Sequence, residues 1–339
     1  MGWARSYDLG VSSLLQLVPS GRGLSRYAAF VLGFMVLVIL EGAVVRATGS
    51  GAGCGNHWPL CNGLFFPFHH PAIATIIEYT HRSLTGFLIT AVVGLMAWVF
   101  MARGRGDRAR RAVVWVGVLL LTEALLGAVL VKGGYVERNA SNMRVLVQGV
   151  HFTNTMLLVA ALTLTWWWLR ASAKSIPQGL KPLPSHSAMR PEAEASGYLE
   201  APGVRSVAWV ALVATMVVGA TGSVAALADT LFPSPSLRAG LADDFSAAAP
   251  LLVRMRWVHP AAALIGVVCV GWLCLRVRAW VLGWLMGLQL VLGMGDVLLL
   301  APTWMQVVHL LGADLYWVAL VVVAADVLWP KQEADPLRG

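Results

Sequence analysis

Eight apolar runs, each about as long as a bilayer is thick, constrain this chain more than any other feature. They lie near 27–45, 76–100, 112–132, 146–169, 204–227, 253–275, 279–300 and 304–328. A hydrocarbon core of ~30 Å takes about 20 apolar residues in helical form. A backbone facing lipid must also satisfy its own hydrogen bonds, which makes helices the natural spanning form. Composition agrees: 58% of the 339 residues are hydrophobic and 12% are charged, where a soluble domain holds roughly 25% charged. Mean hydropathy is +0.71. A large soluble core is therefore excluded. The net charge of +8 forms no basic patch with interleaved aromatics, so no nucleic-acid partner is expected.

The basic residues follow the membrane instead. With the N-terminus inside, the inner segments hold Arg5, Arg22, Arg26, the stretch "RGRGDRARR" at 103–111, the 170–205 segment, "RVR" at 276–278 and the tail. These carry 17 of the 25 Lys and Arg. The positive-inside rule then predicts both termini in the cytoplasm of a bacterial plasma membrane. Trp166, Trp167 and Trp168 beside Arg170 read as an inner interfacial belt. The first 25 residues show no signal-peptide pattern.

The longest polar stretch, 171–203, is rich in Pro and Ser and separates four runs from four. Short strings recur in order across it. "ATGS" occurs at 47–50 and 220–223. "EALLG" at 123–127 matches "QLVLG" at 289–293, and "VHFTNTMLLVAAL" at 150–162 matches "VHLLGADLYWVAL" at 308–320. "YTHRSLTGFLI" at 79–89 matches "RWVHPAAALIG" at 256–266 more loosely. The fold class expected is an all-α polytopic membrane protein. Its eight helices form two four-helix bundles related by a parallel pseudo-twofold repeat. The divisions are an N-terminal segment 1–26, a first half 27–170, a linker 171–203, a second half 204–328 and a tail 329–339.

Eight histidines are present. His57, His69 and His70 fall in the first outer loop and His186 in the linker. The other four, His81, His151, His259 and His309, fall one each on the second, fourth, sixth and eighth runs, each about five residues past its estimated start. Any one of them could be a satisfied polar residue in a bundle. Four at one level, two per half, point to ligands of a prosthetic group. Axial imidazoles from facing helices can hold a haem iron, whereas a bare metal ion lacks completing ligands in the second half.

The halves differ where chemistry would need it. Glu78 precedes His81 by three residues, and Arg256 stands in the same relation to His259. A carboxylate there can accept a proton, and a cation can pair with a haem propionate; the bland reading of Glu78 is a helix N-terminal acid favoured by the dipole. Cys54 and Cys61 lie in "GSGAGCGNHWPLCNGLFFP", 49–67, and the corresponding outer loop near 228–252 has no cysteine. A structural staple, a redox-active pair and a zinc site with His57 all stay open on these residues alone. Cys269 and Cys274 read as packing residues.

The strings "GSGAGCGNHWPLCNG", "EYTHR", "VQGVHF" (147–152), "ATGSVAALADTLFP" (220–233) and "HLLGADLYW" (309–317) resemble haem A synthase, over about 40–325. The family is an eight-helix membrane enzyme of cytochrome oxidase biogenesis. The resemblance implies an oxidoreductase that converts the C8 methyl of haem O to a formyl group by successive hydroxylations, the diol then losing water. It implies haem B as cofactor, held by His259 and His309. The haem O substrate is then held with His81 and His151 at the iron positions, and Glu78 is the essential acid. It also implies a Cys54–Cys61 disulfide, as in one subset of the family. Both haem sites are expected toward the outer face. Arg46 and Arg82 are candidates to meet propionates, or else to snorkel. Expected partners are haem O and haem A, haem O synthase, an electron acceptor and membrane lipid, with a homo-oligomer open. The rival reading is a di-haem b-type electron carrier linked to quinone, which explains four histidines and leaves Glu78 and the cysteine loop without a role. A transporter whose histidines bind haem transiently is a third.

Overall fold

The computed structural model describes residues 21–67, 71–173 and 203–330. His69, His70, His186, residues 1–20, most of the 171–203 linker and most of the tail lie outside the described residues. The helices among them are α1 Gly21–Ala47, α2 Ile73–Ala102, α3 Arg108–Lys132, α4 Asn142–Ala173, α5 Val204–Leu231, α6 Leu237–Asp244, α7 Leu251–Arg254, α8 Val258–Val277, α9 Trp280–Leu298 and α10 Thr303–Leu328. One isolated bridge joins Cys61 to Leu64. Eight segments are long and apolar enough to cross a membrane, the sixth comprising α7 and α8. The expected all-α architecture and its eight spans are observed.

Helix ends outrun the apolar runs. α1 takes in Arg22 and Arg26, and α3 starts at Arg108, because a helix can continue into the polar headgroup zone and Arg is a good helix former. Caps then fix the starts. The Asp107 carboxylate accepts from Ala109 N at 2.7 Å, and Ser141 Oγ accepts from Arg144 N at 3.2 Å, each meeting an otherwise orphaned amide. The sixth span breaks between Arg254 and Val258. Pro260 lies in the first turn of α8, where its missing N–H has no intrahelical partner to lose.

Helices α1, α4, α5 and α10 pack against one another through the middle of the molecule. α2 and α3 flank them on one side, α8 and α9 on the other. The main core runs through both halves, from Leu24, Leu88 and Leu158 to Leu273, Leu282 and Leu320, and a smaller cluster gathers Leu227, Ala228 and Leu252. Phe87, Val268, Val281 and Trp284 point outward, as side chains facing lipid tails should. Near the C-terminal ends of α4 and α10, Trp167 Nε1 donates to Asp326 Oδ1 at 3.0 Å, and Arg170 lies 5.3 Å from the Trp166 ring centroid.

The two "ATGS" strings do different jobs. The first ends α1, with Gly49 at φ +68°, a left-handed turn that suits glycine. The second lies inside α5, where Gly222 faces the His259 ring. The glycine that faces His81 is Gly42, five residues before the first string.

Candidate functional site

His81 stands on α2, His151 on α4, His259 on α8 and His309 on α10. Their positions along the helices are uneven: His259 is the second residue of α8, while His81 and His151 lie more than two turns inside α2 and α4. The equal spacing counted from the apolar runs reflects where hydrophobicity begins, which differs from where each helix starts. The structure nevertheless brings the histidines together in pairs. The His259 and His309 rings face each other with centroids 6.4 Å apart and planes at 75°. His81 lies within electrostatic reach of His151 and Glu123.

Glycines let the helices approach three of these rings. A Cβ at Gly42 would meet His81 Cε1 at 3.0 Å, one at Gly222 would meet His259 Cε1 at 2.9 Å, and one at Gly293 would meet His309 Cε1 at 2.9 Å. Any side chain there would displace the ring.

The Nδ1 edges have unlike neighbours in the two halves. His259 Nδ1 lies 3.1 Å from the Val218 carbonyl oxygen, and His309 Nδ1 lies 3.1 Å from the Gln289 amide nitrogen. In the first half both neighbours are carboxylates. Glu41 Oε2 lies 3.6 Å from His81 Nδ1, and Glu123 Oε1 lies 3.4 Å from His151 Nδ1. Glu123 is fixed from the other side, since Thr155 Oγ1 donates to Oε1 and Asn154 Nδ2 donates to Oε2 at 2.5 Å. Asn154 Oδ1 in turn accepts from Thr122 Oγ1 at 2.8 Å.

Above the first pair, Cys54 and Cys61 form a disulfide with Cα atoms 4.4 Å apart. Their sulfurs are bonded to each other, so a zinc site with His57 is not formed. No group of three or more His, Cys, Asp and Glu placed to hold a metal ion occurs among the described residues. Glu78, 3% exposed, ties this loop to α2. Its Oε2 accepts from Cys54 N at 2.7 Å, and its Oε1 accepts from Arg82 Nε at 3.1 Å. Arg82 also donates to the Leu60 carbonyl at 2.7 Å and to that of His57.

The second half anchors its long loop, between α5 and α8, with the opposite charge. Arg256 pairs with Asp244 at 2.8 Å and with Asp229 at 3.1 Å, and reaches Ser234 Oγ at 3.1 Å. Its guanidinium is therefore committed to that loop, as Arg82 is to the other. The Arg46 guanidinium is bound within the protein. It crosses between halves, donating to the Ala226 carbonyl and Thr230 Oγ1 at 2.7 Å and to Gln306 Oε1 at 2.8 Å. Cys269 and Cys274 are free thiols, Cys274 buried, in keeping with packing roles.

Sequence reasoning missed Glu41, Glu123 and Gln289. The signal was present, because Glu123 and Gln289 are the first letters of two strings already matched between halves. A carboxylate inside a span also warrants a functional explanation by itself.

This is the architecture of a polytopic membrane protein with two differently supported pairs of intramembrane histidines. The chain belongs to the cytochrome oxidase assembly protein family (COX15-CtaA), which it matches over residues 25–321. A protoheme IX farnesyltransferase of Thermus thermophilus is 38% identical over 324 residues, covering 91% of this chain and 49% of that protein. A haem A synthase of Bacillus pumilus is 36% identical over 150 residues, 44% of this chain and 46% of the relative. One from Exiguobacterium sibiricum is 34% identical over 142 residues, 42% and 44% respectively. The chain spans about half the length of the curated relatives it matches.

Proposed function

We propose that the chain acts as a haem A synthase, an oxidoreductase that converts the C8 methyl of haem O to a formyl group for cytochrome oxidase assembly. The observation that carries this reading is the unlike support of the two histidine pairs: carbonyl and amide in one half, carboxylates and a disulfide-closed loop in the other. One half is then suited to a resident cofactor and the other to chemistry.

The facing pair fits a haem. Two metal–nitrogen bonds of about 2 Å, plus the half-widths of two imidazoles, give a centroid separation of roughly 6 Å, and His259 and His309 stand at 6.4 Å. These two residues would hold haem B. Bound there, it would supply a one-electron redox centre in the half next to the reaction. His81 and His151 would receive the haem O iron. Glu78 holds the loop 49–67 over them and is the proposed catalytic acid. Reaching the substrate requires one of its oxygens to release Arg82 or Cys54 N, so the loop and the acid would act together.

Haem O synthase is the proposed donor. The Thermus relative, a protoheme IX farnesyltransferase of which the match covers about half, supports that pairing. A separate electron acceptor is proposed, with both termini cytoplasmic and both haem sites toward the outer face of a bacterial plasma membrane.

Expression of the chain with a haem O supply, followed by pigment extraction, tests the reading. Haem A should appear. Haem B retained with no haem A formed would overturn it in favour of a di-haem electron carrier.

A further inference from the structure

Glu41 Oε2, His81 Nδ1 and His151 Nδ1 are buried polar atoms that lack hydrogen bonds, although each histidine has a carboxylate beside it. Gaps of 3.6 and 3.4 Å are too long or too poorly aligned for a bond. An unpaired buried polar atom calls for an explanation, and here Glu41 Oε2 and His81 Nδ1 face each other across one helix–helix contact, while His151 Nδ1 faces Glu123 across another. An imidazole bound to a metal through Nε2 carries its proton on Nδ1 and almost always donates it to a carboxylate, a backbone carbonyl or water. In the second half a backbone carbonyl and a side-chain amide border the Nδ1 edges. In the first half both neighbours are carboxylates, one of them braced by Thr155 and Asn154. That bracing leaves Glu123 little freedom except to keep Oε1 toward His151.

We propose that Glu41 and Glu123 are positioning residues for the haem taken by the first half, accepting the Nδ1 protons of His81 and His151 once iron binds the opposite ring nitrogens. The proposal rests on the haem reading above and adds a division of labour to it. A carboxylate acceptor makes an imidazole a stronger electron donor than a carbonyl or amide does, so the first-half iron is stabilised in its ferric form relative to the second-half iron. The two sites then differ in potential because of residues that never touch iron. Gln289 marks the contrast: it stands where the matched strings put Glu123 in the other half, and beside the His309 ring.

The test uses the purified full-length protein carrying haem B in the second half and loaded with haem O in the first, with each site followed by its own absorbance during a redox titration. Glu123→Gln and Glu41→Gln should each shift the first-half ferric-to-ferrous ratio about tenfold toward ferrous, equivalent to 59 mV for a one-electron couple, while the haem B potential stays unchanged. Gln289→Glu should do the reverse, moving the haem B potential down by a similar amount. Glu123→Asp should recover part of the wild-type value. If both first-half variants and Gln289→Glu titrate like wild type, the positioning role is wrong even though haem is bound. If the wild-type protein takes up no haem at His259 and His309, the haem reading itself has failed. Should the glutamine variants not fold, Gln289→Glu alone decides: an unmoved haem B potential overturns the proposal.

Discussion

The first four spans and the last four meet the same problem, fixing two imidazoles and anchoring one long connecting loop, with opposite electrostatics. In the last four, Arg256 gathers Asp229 and Asp244, and the histidines rest beside neutral groups. In the first four, Glu78 gathers Arg82 and the Cys54 amide, and the histidines rest beside Glu41 and Glu123. The cation of one half and the anion of the other are both already engaged in loop anchoring. The difference of sign therefore teaches less about propionates than about which half keeps carboxylates near its rings. A carboxylate in a membrane interior is costly unless it is paired, and two of them beside one histidine pair mark that half as the place where charge is used.

The comparison can be broken most directly at the rings. His259→Ala or His309→Ala should abolish haem B retention in the purified protein, read as loss of its absorbance, while His81→Ala should keep it. A reversal of that pattern would exchange the roles of the halves. Next in size, Glu78→Ala should retain haem B and lower haem A formation by 10²-fold or more, the scale of a missing acid–base group, measured by pigment extraction; full turnover would remove Glu78 from the chemistry. Removing the Cys54–Cys61 bond with a double Ser variant should lower stability by about 2–3 kcal/mol, as expected for so short a closed loop, seen as a lower melting temperature. The wild-type protein should reproduce that loss on reduction. Smallest, Arg256→Met should cost about 1–2 kcal/mol, since its partners are partly solvated. Limited proteolysis within 232–250 should then proceed faster, with the disulfide loop of the other half unaffected.

The spans were legible because a bilayer imposes a length and a polarity that composition alone can meet. Their ends were not, because Arg22, Arg26 and Arg108 are polar yet helical, and Pro260 restarts a helix inside one apolar run. His81, His151, His259 and His309 stood out as rare polar residues on alternate spans. Glu41 and Glu123 did not, since each meets its histidine only through the packing of a different helix, and helix rotation cannot be read from a string of letters. The "ATGS" strings are the converse lesson. Identical tetrapeptides ended a helix in one place and faced a ring in the other, while Gly42, in an unmatched setting, shares the ring-facing role of Gly222.

Helix α1 has a mechanical consequence of its own. Glu41 faces His81, and Arg46, five residues along the same helix and so about 7–8 Å further, grips α5 and α10 through Ala226, Thr230 and Gln306. Gln306 is one turn from His309 on α10. A single rigid rod thus touches one histidine pair with its acid and reaches within a turn of the other with its base. On the proposed reading, a displacement that drew Glu41 toward an occupied ring would also load the contacts of Arg46 with α5 and α10, a lever built into the first span.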